Sequence, residues 1–204
     1  MKHLNLFETE YEYINSNIEF PNVSLTIDTN TVHMKEEDIV IMTSDSNPVA
    51  MEICYNQGWA TNPDFMLKSE AEAVTDIGTA FSYGSSSYSY GGQTIGSLTT
   101  FHELKYFTSL TFITHSAFAG NISLKEISLP SSLTNLGDNI FDKCSSIEKI
   151  YTYAINQPFT SMWTFCCEIG ENGVLYYPKG SDYSTWISNG HCYLGYLGWV
   201  SQEF

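Results

Sequence analysis

SLTFITHSAFAGNISLKEISLPSSLTNLGDNIFDKCSSIEKI, residues 109–150, repeats itself at an offset of 23 residues. Ser109, Leu110 and Thr111 recur as Ser132, Leu133 and Thr134, and Ile113 recurs as Leu136. Phe118 returns as Phe141, Ser123 as Ser146, Leu124 as Ile147 and Ile127 as Ile150. A fixed period of this length marks a solenoid, whose units can bury their apolar faces only against the same positions one coil above and below.

Working outward, the same offset places Thr100, Phe101 and Leu104 in the slots of Ser123, Leu124 and Ile127, with Ile95 in that of Phe118. Forward of the repeat, Phe165 and Val174 stand 24 residues from Phe141 and Ile150, one residue of drift. Three to four coils are expected, enough for a stable stack. In each coil an extended piece such as Leu124, Ile127 and Leu129 lines the core, Pro130 ends it for want of an N–H, and Phe118 and Phe141 fill the space under the returning turn.

The last coil needs a cover for its apolar end and unpaired strand edge. Ser181 is expected to cap a short helix carrying Tyr183, Trp186 and Ile187, and Tyr193, Leu194, Tyr196, Leu197 and Trp199 supply aromatic surface to close the stack.

These residues carry a resemblance. Ala117, Phe118, Gly120, Ser123, Leu124, Ile127, Leu129 and Pro130, then Ser132, Leu133 and Thr134, then Phe141, Cys144, Ser146, Ile147 and Ile150 resemble the BspA-type leucine-rich repeat, common in Bacteroidetes surface proteins and other gut and oral microbes. The resemblance covers about residues 93–180. Gly173 to Ser181 with Tyr183 and Trp186 resembles the segment closing such arrays. It implies adhesion to host proteins, other bacteria or surface polymers.

Upstream, Thr9 is a candidate N-cap for a short helix within Leu6–Ile18 carrying Tyr11, Tyr13 and Ile14. After Pro21, Val23, Leu25 and Ile27 alternate, Asp28 to Asn30 turn, and Val32 and Met34 return, which reads as a hairpin. Ile39 and Ile41 offer it a third strand. Ser46 or Asn47 caps a helix with Pro48 at its first position and Gly58 beyond its end, burying Val49, Ile53 and Cys54. A second helix is expected from about Ser69 to Thr75. Trp59 to Val74 resembles a calcium-loop-like run found before many bacterial leucine-rich arrays, but Ala60 and Phe65 replace the first acidic ligand and the turn glycine, so no calcium is expected. Phe81 to Gly92 is rich in Ser, Tyr and Gly. A flexible insertion explains that composition, and so does a recognition loop whose candidate contacts are Tyr83, Tyr88 and Tyr90.

The predicted architecture is α+β: a short leucine-rich-repeat solenoid of period 23 with an aromatic C-terminal cap over 93–204, behind a β-hairpin and helix module over 1–46 and a helical, Tyr/Ser/Gly-rich segment over 47–92.

Twenty-three acidic residues against 8 basic ones give a net charge of −15, which repels phosphate backbones, so no nucleic-acid partner is expected. No run of 18 apolar residues offers a membrane span. Met1 leads to Glu8, Glu10 and Glu12 without an apolar h-region, so no signal peptide is expected. Five cysteines at 54, 144, 166, 167 and 192, an odd number without framework spacing, are expected to be mostly small core residues rather than disulfide staples. Cys166, Cys167, His191 and Cys192 lack the two-residue gap common at zinc sites, so neither metal nor cofactor is expected. No nucleophile elbow, phosphate loop, dinucleotide fingerprint or HExxH motif occurs, and His115 beside Ser116 gives no nucleophile–base geometry.

The expected function is therefore a non-enzymatic interaction module with a protein or surface-glycan partner, in a virion or at an extracellular surface. Phe7 to Met34, with Pro21-Asn22-Val23-Ser24 and Asp28, Asn30, Val32 and His33, resembles N-terminal pieces of gut phage structural proteins. That resemblance implies a virion protein of a Bacteroidales phage, docked on the particle through residues 1–46. A bacterial cell-surface adhesin of the same repeat class is the alternative. Fibres are often symmetric homo-oligomers, though no heptad run specifies a trimer.

Overall fold

The computed structural model describes residues 39–82, 98–166 and 168–204, together with strand pairs at 11–12, 26–28, 31–33, 89–90 and 93–94. Strands β1 (Tyr11–Glu12), β2 (Thr26–Asp28) and β3 (Thr31–His33) form an antiparallel sheet in the order β1-β3-β2, with Ile27 opposite Val32 and Tyr11 opposite Val32 on the other side. Tyr11 is thus not helical as the sequence suggests. A short isolated helix is marginal in water, and an adjacent hairpin offers the same backbone ladder hydrogen bonds. The rest of the expected helix lies outside the described residues, as do Val23, Leu25 and Met34.

Strand β4 (Val40–Thr43) does not join that hairpin. It pairs antiparallel with β5 (Phe65–Leu67), Met42 beside Met66, and both methionines are buried in the main core. Between them runs α1 (Pro48–Asn56), where Asn47 Oδ1 accepts the Ala50 N–H at 3.4 Å, Pro48 needs no partner for its nitrogen, and Val49, Ile53 and Cys54 are buried. Gly58 leaves the helix with φ +73°. Helix α2 (Lys68–Glu72) follows β5. Its Glu70 carboxylate accepts the Thr61 N–H at 2.9 Å, the Thr61 hydroxyl at 2.6 Å and the Leu67 N–H at 2.8 Å. One carboxylate therefore ties Thr61 to Leu67 and starts the helix. Strands β6 (Ser89–Tyr90) and β7 (Gln93–Thr94) pair antiparallel.

The solenoid supplies β8 (Thr100–Phe101), β9 (Phe112–Ile113), β10 (Glu126–Leu129), β11 (Asn135–Leu136), β12 (Lys149–Thr152), β13 (Val174–Tyr177) and β14 (Val200–Glu203). Strands β8, β10, β12, β13 and β14 stack side by side in one parallel sheet, while β9 and β11 pair on the returning side. About four turns of solenoid result. Inside them Phe101, Ile127, Ile150 and Leu175 align across the sheet, all fully buried. Behind them Phe118 stacks on Phe141 with ring centroids 5.7 Å apart, and Phe81 lies 4.8 Å from Phe101. Each such ring removed from water contributes roughly 2–3 kcal/mol. The turns repeat as well. Gly120 (φ +82°) and Lys143 (φ +59°) occupy equivalent positions, so the left-handed turn is imposed by the stack even where the residue is not glycine.

Two slots differ from the sequence alignment. Phe101 pairs with Ile127, not with the slot of Leu124, which buried Leu98 fills instead. The cause is an inserted 3-10 turn, Glu103–Tyr106: nine positions separate Phe101 from Leu110, but six separate the equivalent Ile127 from Leu133. At the other end Ile150 pairs with Leu175, and Val174 faces Lys149 on the opposite side of the sheet. Ile95 lies outside the described residues.

At the C-terminal end Tyr183, Trp186, Leu194 and Trp199 are buried, while Tyr196 is half-exposed. The Tyr183 hydroxyl donates to the Ala154 carbonyl at 2.8 Å, and Trp199 Nε1 donates to that of Gly170 at 2.7 Å. No helix forms over 183–187; the chain turns there, Asp182 accepts the Ser184 N–H at 2.9 Å, and the Ser181 hydroxyl has no partner. The cysteine reading also changes. Cys54 and Cys144 are buried thiols, but Cys166 and Cys192 form a disulfide across the end of the stack. Spacing in sequence could not show this, because the coils bring residues 26 apart to a Cα separation of 4.6 Å.

Candidate interaction surface

Because side chains alternate along a strand, residues flanking the buried Ile127, Ile150 and Leu175 must point outward. Register turns them into two rows across the sheet. One runs Thr100, Glu126, Lys149, Val174 and Val200; the other runs His102, Ser128, Tyr151, Tyr176 and Gln202, with Ser128 buried beneath its neighbours and joined to His102 by a hydrogen bond.

The first row is held by an ion pair, Lys149 Nζ to Glu126 Oε1 at 2.8 Å. The hydrogen bond to Glu126 and then its charge push the Lys149 ammonium above its ordinary pKa. Glu126 Oε2 also lies 3.4 Å from His102 Nε2, and His102 Nδ1 lies 3.0 Å from the Ser128 hydroxyl. In the second row Tyr151 and Tyr176 stack face to face, centroids 4.6 Å apart at 10°, with the His102 ring edge-on to Tyr151 at 5.7 Å. Partial burial raises the Tyr151 phenol above its usual pKa, Glu126 adding to the effect. Beyond these rows Tyr153 meets Phe204 at 5.4 Å, and Lys105 lies over the rings of Tyr106 and Tyr153 at 5.0 and 5.7 Å.

The surface is therefore aromatic hydroxyls and edges beside paired charges, braced from beneath by a fully buried row. Stacking leaves each inner tyrosine little rotamer freedom to lose on binding, which favours recognition. A second cluster of exposed apolar side chains, Ile155, Phe159, Met162 and Trp163, lies on one loop.

The arrangement nearest to catalytic chemistry is a ladder, not a triad. His115, Asp138 and Ser161 come from successive coils; Ser161 Oγ donates to Asp138 Oδ1, and His115 Nδ1 accepts the Asp138 N–H at 2.9 Å. Asp138 stands between the other two, so Ser161 has no imidazole to take its proton.

Tyr83 and Tyr88, singled out from composition, lie outside the described residues. Tyr90 is described only as part of β6, opposite Gln93. The sheet-face residues His102, Glu126, Lys149, Tyr151 and Tyr176 were not singled out by sequence, though a signal existed: each flanks a repeat-slot hydrophobic within an extended piece.

Residues 93–171 are similar to the BspA type leucine-rich repeat region, in six copies. The matched segment takes in β8 to β12 and thus the first three strands of the outward face. It supports a leucine-rich-repeat solenoid and suggests a protein-interaction or adhesion module. No curated protein and no solved structure matches the chain. Among the described residues no helix is long and apolar enough to cross a membrane.

Proposed function

We propose that this protein is a non-enzymatic adhesion module that binds a protein or a surface glycan through the outward face of its parallel sheet, above all through Tyr151, Tyr176, Lys149 and Glu126. The observation that carries this reading is the Tyr151–Tyr176 stack beside the Lys149–Glu126 pair, two features held rigid over buried Ile150 and Ile127. Tyr83, Tyr88 and Tyr90 remain candidate further contacts on the strength of their Tyr/Ser/Gly setting.

Within that function we place the protein on the virion of a Bacteroidales phage, with residues 1–46 docking on the particle, the solenoid facing outward and a homo-oligomer as the assembled form. The resemblance of Phe7 to Met34 to gut phage structural proteins supports the placement. The alternative, a bacterial cell-surface adhesin, is favoured by the repeat class itself, and the Cys166–Cys192 disulfide suits any extracellular setting. Mass spectrometry of purified virions and of host envelope fractions separates the two: peptides of this chain in virions are expected, and recovery from the host envelope alone defeats the phage placement. Light scattering of the isolated chain tests the oligomer.

A further inference from the structure

Cys166, His191 and Cys192 bring three donor atoms within 4.8 Å of one another at the end of the solenoid. We propose that the Cys166–Cys192 disulfide is a thiol–disulfide exchange site for small thiols and disulfides, and that its state determines whether the C-terminal cap is locked onto the stack.

The topology makes the bond a lock. The loop it closes contains β13 and the buried cap residues Tyr183 and Trp186. Strand β14 follows the loop, pairs only with β13, and all four of its residues are exposed. Cys192 itself sits at φ +69°, a conformation that a non-glycine residue keeps only when its surroundings hold it there. Cutting the bond frees Cys192 to relax and removes the covalent tie between the cap and the coil carrying Phe165.

The chemistry is directed. Both cysteines are buried, but exposed Glu168, Gly190 and His191 stand within two residues of them along the chain, so a small local opening admits a thiol. His191 Nδ1 lies 2.9 Å from Cys192 Sγ, where a ring N–H can donate to a departing thiolate. An incoming thiolate therefore attacks Cys166 Sγ, the sulfur–sulfur bond breaks, and its electron pair leaves on Cys192. A second thiolate attacks the mixed disulfide, releasing Cys166 and a small-molecule disulfide. Two thiols are oxidised and the protein gains two electrons and two protons; the reverse reaction, with a small-molecule disulfide as oxidant, closes the lock. Cys54 and Cys144 stay out of this exchange, since burial raises both thiols, Cys144 to about 12.

The test uses the full chain with glutathione and its disulfide as the redox pair. Alkylation after denaturation without reductant is expected to label three of the five cysteines, with a peptide linking Cys166 to Cys192; five labelled cysteines, or a link from Cys167, overturns the assignment. Reduction is expected to speed amide exchange over residues 187–203 by about tenfold or more while residues 126–152 stay unchanged, the signature of a local opening. Equal exchange before and after reduction removes the lock. Cys166→Ser/Cys192→Ser should reproduce the reduced pattern, and reduction in place supplies the same reading if that variant does not fold. His191→Ala should slow reduction severalfold and His191→Lys should restore it; unchanged rates in both overturn the role of His191.

Discussion

Asn47 Nδ2 donates to the Thr100 carbonyl at 3.0 Å, so the residue that caps α1 also ties it to the first strand of the solenoid. The same amide nitrogen reaches Glu103 Oε2 at 3.1 Å, in the inserted turn that displaces the first coil. Asn47→Asp keeps a good cap but removes the donor and sets a carboxylate against Glu103. It is therefore expected to destabilise by about 2 kcal/mol, although aspartate is an excellent N-cap elsewhere. Chemical denaturation measures this, and a neutral or stabilising outcome would show that Asn47 acts only as a cap.

Tyr183 should make the protein sensitive to alkali. Burial raises its phenol to about 12, the Thr152 hydroxyl partly offsetting the shift. The folded-state pKa is raised, so the stabilisation it reflects is complete below the unfolded value near 10 and is lost as pH rises towards 12. Tyr183→Phe is expected to lose about 1–2 kcal/mol at neutral pH, with the bond to the Ala154 carbonyl, and to show a shallower decline between pH 10 and 12. Urea midpoints across that range provide the measurement.

The coils from Leu110 to Ile150 were legible in the sequence because each buried slot, such as Ile127 and Ile150, must match its neighbour in size and spacing. The edges were less legible. Three extra residues in the turn at Glu103–Tyr106 shift Phe101 by one slot without changing the hydrophobic pattern, since Leu104 is buried too. The same holds for β4: an apolar alternating strand carries no label for its partner, and Met42 finds Met66 beyond α1 rather than the nearer hairpin. The candidate surface was missed for a complementary reason. Glu126, Lys149, Tyr151 and Tyr176 differ from coil to coil, so a search for sameness passes over them.

Glu70 offers a test of the loop before the array. Its carboxylate accepts from Thr61 N–H and hydroxyl and from Leu67 N–H, so it ties the start of that loop to the start of α2. Glu70→Ala should cost about 2–3 kcal/mol by leaving the partly buried Leu67 N–H without its partner, and Glu70→Gln should recover part of that because an amide oxygen still accepts. Added calcium is expected to leave the melting temperature of the parent unchanged. A calcium-dependent rise that Glu70→Ala abolishes would assign the loop to metal binding instead.

The strongest functional prediction concerns the sheet face. Tyr151→Ala/Tyr176→Ala removes the stack while leaving Ile150 and Leu175 beneath it, so stability should fall by no more than about 1–2 kcal/mol. Binding to whole bacterial cells should fall by about 30-fold or more, as expected for loss of aromatic anchors at the centre of an interface. Lys149→Ala, which leaves Glu126 with His102 as its remaining neighbour, should weaken binding less and make the remainder less sensitive to salt. The triple variant Tyr83→Ala/Tyr88→Ala/Tyr90→Ala, assayed in parallel, separates the two candidate contacts. Loss of binding in the triple variant with full binding in the sheet-face double would move the recognition site from the solenoid to the loop. Loss in both would make them parts of one surface, because residues that bind independently do not each abolish the whole.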